Sequence, residues 1–317
     1  MGEMYGRQSI AQKIAGIGGF LLRDIKKHSY IYIMALPVLA YYIVFFYFPM
    51  YGAQIAFKAF SPGKGILGSP WVGFQHFRDF FGSVYFTRVL RNTILISFYG
   101  LVFSFPAPII LALLLNELRS VLFKRVVQTT SYLPHFISIM VVCGMIIDFT
   151  SKGGLVNDII EIFGGKRVSF LLYPQYFRFI YVSTDIWQTI GWGSIIYLAA
   201  LTSIDPAIYE AATIDGANRW KKMLHITLPG LTPTIVILLI LRIGQMMNVG
   251  FEKTILLYNS NIYETADVIS SFVYRKGLLE FNYSYSAAVG FFNSVVNFTL
   301  MLFANGASRK VTENSLW

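Results

Sequence analysis

The chain has 317 residues, 55% of them hydrophobic and only 13% charged, with a mean hydropathy of +0.57. That balance excludes an ordinary soluble domain and points to a polytopic membrane protein. The net charge of +10 does not imply nucleic acid, because the basic residues are scattered among apolar runs; membrane phosphates are the expected anionic neighbour.

Residues 9–28 place Ile10, Ile14, Ile17, Leu21 and Ile25 on one helical face, with Lys13, Lys26 and Lys27 elsewhere. The spacing predicts a helix lying in the membrane interface within a cytoplasmic segment 1–29. It is not expected to be a cleavable signal peptide, since no small-residue cleavage site follows the first apolar run. A six-helix membrane domain is expected over 30–305, with a cytoplasmic tail at 306–317.

The first span is expected at 30–51. Beyond it, Trp71, Phe74, Phe77, Phe80 and Phe81 form an aromatic stripe at helical spacing, of the kind that rests at a lipid–water boundary. The second span, 92–115, contains Pro106 and Pro108, which free backbone carbonyls and predict a kinked helix packed on protein. A third span is expected at 127–148 and a fourth at 176–202. The fifth is read as one helix over 230–257, followed by a polar loop, and the sixth as 286–305. Six crossings put both termini on one side. The four segments on that side carry thirteen of the 26 Lys and Arg in the shorter share of the chain, which favours a cytoplasmic placement.

Between the fourth and fifth spans lies a polar interruption, 205–229, reading DPAIYEAATIDGANRWKKMLHITLP. Asp205 followed by Pro206 is an N-cap with proline in the first turn, predicting a short helix to about Ile214. Gly216 can take the left-handed conformation that ends it. Asn218 can cap a second short helix carrying Arg219, Lys221 and Lys222. Small residues Ala211, Ala212 and Ala217 at the bend let another protein approach the backbone closely. The loop reads as a docking knob.

Several chemistries lack their residues. No G-x-x-x-x-G-K-[ST] phosphate loop and no G-x-S-x-G elbow occurs, and the four histidines show no metal-ligand spacing. No catalytic site is visible, so any ATP hydrolysis belongs to another subunit. Polar groups inside the spans are the remaining signal. Arg242 stands about 18 Å into the fifth span at 1.5 Å per residue, and a charge at that depth should face a cavity or a partner. Gln245 and Asn248 follow on the same and an adjoining face. Asp185, Trp187, Gln188 and Trp192 lie in the fourth span, and Asn293 and Asn297 in the sixth. Two readings stand side by side: a water-filled path lined by these residues, or an Arg242–Asp185 ion pair with the amides serving helix contacts.

The frame Glu210, Ala211, Ala212, Asp215, Gly216, Ala217, then Ile226, Leu228 and Pro229, resembles the cytoplasmic EAA motif of permease subunits of binding-protein-dependent ABC importers. Met223 stands where that family often has an aromatic. The runs LPVLAYYIVFFYFPMYG, WVGFQHFRDFF, NTILIS and YLPHFIS resemble the lipoprotein-B-type branch, which takes up oligosaccharides, including alginate and pectin fragments. The resemblance implies an all-α type I, maltose-permease-like fold in a bacterial cytoplasmic membrane. It also implies a second, homologous permease, an ATPase dimer that binds ATP and Mg and docks on residues 210–217, and an extracytoplasmic solute-binding protein. Arg242 is compatible with an acidic oligosaccharide cargo, and a neutral one is the alternative. An ion-coupled secondary transporter using Arg242 and Asp185 is the rival from another class.

Overall fold

In lipid every backbone N–H and C=O needs a partner within the protein, and a helix satisfies its own. The computed structural model describes residues 26–311, and these are accordingly helical, with an isolated antiparallel bridge between Lys58 and Trp71. The interfacial helix expected at 9–28 falls almost wholly outside the described residues. Among those described, five helices are long and apolar enough to cross a membrane: Ser29–Phe57, Val84–Glu117, Ile139–Ile162, Arg219–Gly244 and Tyr283–Lys310. A sixth forms if Pro174–Leu201 is taken with Pro206–Ile214, to which it is bent by 75°.

The first helix, α1 (Ser29–Tyr42), continues through Met50 with no buried side chain. The turn Tyr51–Phe57 then brings the chain back onto the body. Of the aromatic stripe, Phe77 and Phe80 in α2 (Gln75–Phe81) are core residues, not boundary residues. Phe80 meets Phe86, Phe272, Tyr285 and Phe292 edge-on or tilted; Trp71, Phe74 and Phe81 stay exposed.

The second crossing comprises α3 (Val84–Tyr99) and α4 (Pro106–Glu117), joined by a π turn at Gly100–Ser104. Pro106 has no N–H to donate, and the widened turn lets Phe105 N–H reach Gly100 O at 3.0 Å. Proline is thus absorbed inside a continuous span. The third crossing differs from expectation. Helix α5 (Val121–Tyr132) stops at the Pro134 turn, and the side chain of Ser138 caps a new start at α6 (Ile139–Thr150), followed by α7 (Leu155–Ile162). The apolar rod is therefore 139–162. The expected 127–148 straddles the break, because hydropathy does not register a cap.

The central rod is α8 (Pro174–Leu201), which packs on α4, α5, the Gly100–Ser104 turn and the Tyr263–Ala266 turn. At Gly191 a Cβ would lie 2.0 Å from the carbonyl oxygen of Ser131, so the close crossing of α5 and α8 requires glycine there. The 205–229 loop contributes α9 (Pro206–Ile214) and α10 (Arg219–Lys222), and a π turn leads into α11 (Leu228–Gly244).

The expected fifth helix over 230–257 is broken. It ends at Gly244 and resumes as α12 (Phe251–Leu257). Side chains from other rods take over the freed backbone groups. Ser97 Oγ donates to Met246 O, and Met247 N–H donates to Asn297 Oδ1 at 2.8 Å. Ser270 Oγ donates to Val249 O at 3.0 Å, and Tyr181 OH to Gly250 O at 3.3 Å. Non-helical backbone at membrane depth persists only with such partners.

The polar loop expected after the fifth span is instead part of the core. It contains α13 (Ile269–Tyr274) and buries Ile262, Val268, Ile269 and Phe272. Its buried carboxylate, Asp267, is held by Arg275 at 2.7 and 3.2 Å, Ser271 at 2.9 Å and Arg88 at 3.4 Å. The described residues end with α14 (Tyr283–Val311), which packs along α11.

Candidate functional site

Two features stand apart from simple packing, and the loop at 205–229 is the first. Asp205 Oδ1 accepts the N–H of Ala207 at 2.9 Å, and Asn218 Oδ1 accepts that of Lys221 at 2.9 Å, so both short helices carry the caps the sequence predicts. Gly216 sits at φ +75°, the left-handed region where a Cβ is strained. Lys222 Nζ donates to Thr213 Oγ1 at 2.6 Å, bracing one short helix against the other. Tyr209 OH lies 3.0 Å from Thr227 Oγ1, tying the knob to the foot of α11. Glu210, Ala211, Asp215 and Gly216 are exposed, as are Ile208, Ile214 and Trp220, while Ala212 and Ala217 are half-buried. The result is a braced, partly apolar knob whose tip no described residue covers.

The second feature lies at the break in the fifth span. Arg242 Nη2 stands 3.9 Å from Asp185 Oδ2. The Arg242 side chain is 51% exposed within this chain, so this is a loose pair and not a sealed one. Depth counting from the outer ends of the expected spans, 176 and 257, separates the two by about 9 Å. That count fails because the helix carrying Arg242 stops at Gly244 instead of running on to 257.

Two cavities meet at this pair. One, of about 210 Å³, is lined by Ser97, Gly100, Tyr181, Gln245, Asn248 and Gly250, among others. The other, of about 350 Å³, extends towards the loop end past His135, Thr189, Trp192, Ile196 and Leu238. Asp185, Arg242 and Gln245 line both, so the ion pair is the partition between them. Along α8, Asp185, Thr189, Trp192 and Ile196 follow the i, i+4, i+7, i+11 spacing of a single face.

The structure brings together only part of the predicted path. Asp185, Arg242, Gln245, Asn248 and Trp192 line the cavities. Asn293 stands behind Asn248, donating to its Oδ1 at 2.8 Å, and Asn297 donates to the same oxygen at 3.0 Å. Gln188 donates to Ile137 O at 3.4 Å, a tie between helices. Trp187 does not reach either cavity; it lies beside Val142, Met145 and Phe149 on another face of α8. Residues two apart on a helix diverge by about 200°, and that spacing in the sequence already separates Trp187 from Asp185.

Two residues of the site escaped sequence reasoning. His135 stacks flat on Trp192, with centroids 4.6 Å apart and planes 3° from parallel. Lys253 lies buried beside Tyr181, 5% exposed. The Leu133–Phe136 turn positions the first, and the break itself positions the second. Neither residue follows the periodicity of a span.

Residues 104–313 match the family described as binding-protein-dependent transport system inner membrane component. The chain is 44% identical over 304 residues to protein LplB of Bacillus subtilis, covering 96% of each. It is also 44% identical over 298 residues to the polygalacturonan/rhamnogalacturonan transport system permease protein YteP of the same organism, covering 94% and 93%. Among solved structures it is similar to a chain of a bacterial ABC transporter involved in import of the acidic polysaccharide alginate (TM-score 0.86, 47% identity, 92% and 99% covered). It is equally similar to a chain of a bacterial alginate ABC transporter in complex with an alginate pentasaccharide-bound periplasmic protein (TM-score 0.87, 45% identity, 93% and 99% covered).

Proposed function

This chain belongs to the family of binding-protein-dependent transport system inner membrane components, and from that premise we propose how it works and what it carries. It is the permease of an ABC importer for oligosaccharides or polysaccharides, an integral membrane transport subunit and not an enzyme. Family membership sets this reading against ion-coupled secondary transport by Arg242 and Asp185. The cargo is an acidic oligosaccharide. The observation that carries this is the Asp185–Arg242 pair, a guanidinium that lines two successive cavities while held only at 3.9 Å by its carboxylate. A cargo carboxylate can take the place of Asp185 on Arg242, where a planar fork of donors suits it. The names of the relatives, which carry polygalacturonan and alginate, support the same cargo class.

The partners follow from the family. The knob at Glu210–Ala217 docks on an ATPase subunit that binds ATP and Mg. A second, homologous permease completes the transmembrane pair. An extracytoplasmic solute-binding protein delivers cargo, as the pentasaccharide-bound periplasmic protein does in the alginate transporter. The membrane is the bacterial cytoplasmic one, with both termini on its cytosolic side. Nucleotide closure draws the ATPase subunits together, the knobs move with them, and the spans open alternately to either side.

The test is ATPase stimulation and uptake in vesicles holding the assembled transporter. Galacturonate and alginate oligosaccharides form the acidic arm and arabino-oligosaccharides the neutral arm. Arg242→Gln should depress the acidic arm at least tenfold more than the neutral one. Equal effects on both arms overturn the acidic cargo.

A further inference from the structure

Lys253 occupies a position that opposes its charge in three ways. It is 5% exposed. It stands in the first turn of α12, where the helix dipole disfavours a cation. Among the described residues no carboxylate lies within 4.0 Å of it. Its compensation is partial. Nζ donates to Tyr181 O at 2.8 Å and lies 4.4 Å from the centroid of the Tyr181 ring. A buried cation held on such terms is a candidate for a functional role.

Asp185 is the acidic group that feels it. It follows Tyr181 by one turn of α8, about 6 Å along the axis, and the Tyr181 carbonyl is the one that Lys253 Nζ holds at 2.8 Å. Asp185 therefore has two cations near it, the loosely held Arg242 and Lys253, which is bonded to the carbonyl one turn before it on α8. The local charge is one carboxylate against two cations.

We infer that Lys253 is the hidden second cation of the cargo site, a positioning residue that never touches cargo. It leaves the Asp185–Arg242 pair with surplus positive charge and gives Asp185 a cation to turn to when Arg242 takes a cargo carboxylate. Asp185 thereby acts as an internal stand-in for cargo, released from Arg242 without being stranded. A carboxylate left with no other cation would hold Arg242 back and slow the exchange. This inference rests on the acidic-cargo reading.

The experiment measures KM for galacturonate and arabino-oligosaccharides in the reconstituted full transporter, for wild type, K253M, D185N and the K253M/D185N pair. Lys253→Met keeps an unbranched buried side chain and removes the charge. The acidic-to-neutral preference should fall about tenfold, the scale of a charge interaction of this range at an effective dielectric near 20. Adding D185N should restore most of it, because the competing carboxylate leaves with the cation. A purely structural brace between Lys253 and Tyr181 O predicts no such rescue, and failure of the rescue overturns the inference. Should K253M not assemble, D185N alone carries the test: it must lower the acidic KM, and an unchanged KM overturns the exchange. A wild type without acidic preference overturns the cargo reading and this inference together. A wild type with that preference, lost in R242Q but intact in K253M, overturns this inference alone.

Discussion

Arg275 grips both carboxylate oxygens of Asp267, at 2.7 and 3.2 Å, deep in the segment between the fifth and sixth spans. Asp267 is fully buried, and Arg88 from α3 reaches the same carboxylate at 3.4 Å. One side chain thus pins α3 to the segment between the fifth and sixth spans. Replacing Asp267 by Asn leaves two guanidinium groups facing a neutral amide. The expected loss is about 3–5 kcal/mol, the cost of stranding one side of a buried ion pair. Thermal unfolding in detergent checks it. A Tm within 1 °C of wild type would show that water reaches the pair.

Asn297 carries the break in the fifth span. Its Oδ1 accepts Met247 N–H and its amide donates to Asn248 Oδ1. Asn297→Leu leaves a buried N–H without an acceptor, worth about 1–3 kcal/mol. It also removes one of the two amide donors that hold Asn248 at the cavity. Both a lower Tm and a raised KM for cargo are expected. A change in Tm without any change in KM would separate the break from the path.

The left-handed turn at Gly216 cannot be built with proline, whose φ is fixed near −65°. Gly216→Pro should uncouple the protein, abolishing cargo-stimulated ATPase in the assembled complex and weakening co-purification of the ATPase. Asp205→Ala removes one N-cap at about 1 kcal/mol and should only reduce coupling. Full coupling in the proline variant would exclude the loop as the docking knob.

The two tryptophans of α8 should part company. Trp192 lines a cavity with His135 stacked on it, whereas Trp187 packs outside both cavities. Trp192→Ala should raise cargo KM several-fold. Trp187→Ala should leave KM within twofold. Uptake kinetics in vesicles decide, and the reverse order would move the path to another face of α8.

What the sequence made legible was what is local. The caps Asp205 and Asn218 and the turn at Gly216 sit where their residue types require, because a cap bonds within two or three residues of itself. Arg242 was legible as a charge too deep to face lipid. The break at 245–250 was not, since Met246, Met247 and Val249 continue the apolar run. Its partners Ser97, Tyr181, Ser270 and Asn297 come from distant segments. Lys253 was missed for the same reason: within an unbroken fifth helix it reads as an end residue, and only the break turns it inward.

Asp185 and Arg242 ride on different rods that are rooted in the same loop. Helix α8 enters the 205–229 segment and α11 leaves it, with a 75° elbow on the entering side. Counted from Leu201 and Leu228, the two residues stand roughly 24 and 21 Å above that root at 1.5 Å per residue. Asp185 sits partway along α8 and Arg242 in the last turn of α11, so one root holds the two at nearly equal heights on separate levers. With arms of that length a few degrees of relative twist shifts the two side chains by about an ångström or two, enough to part a contact already stretched to 3.9 Å.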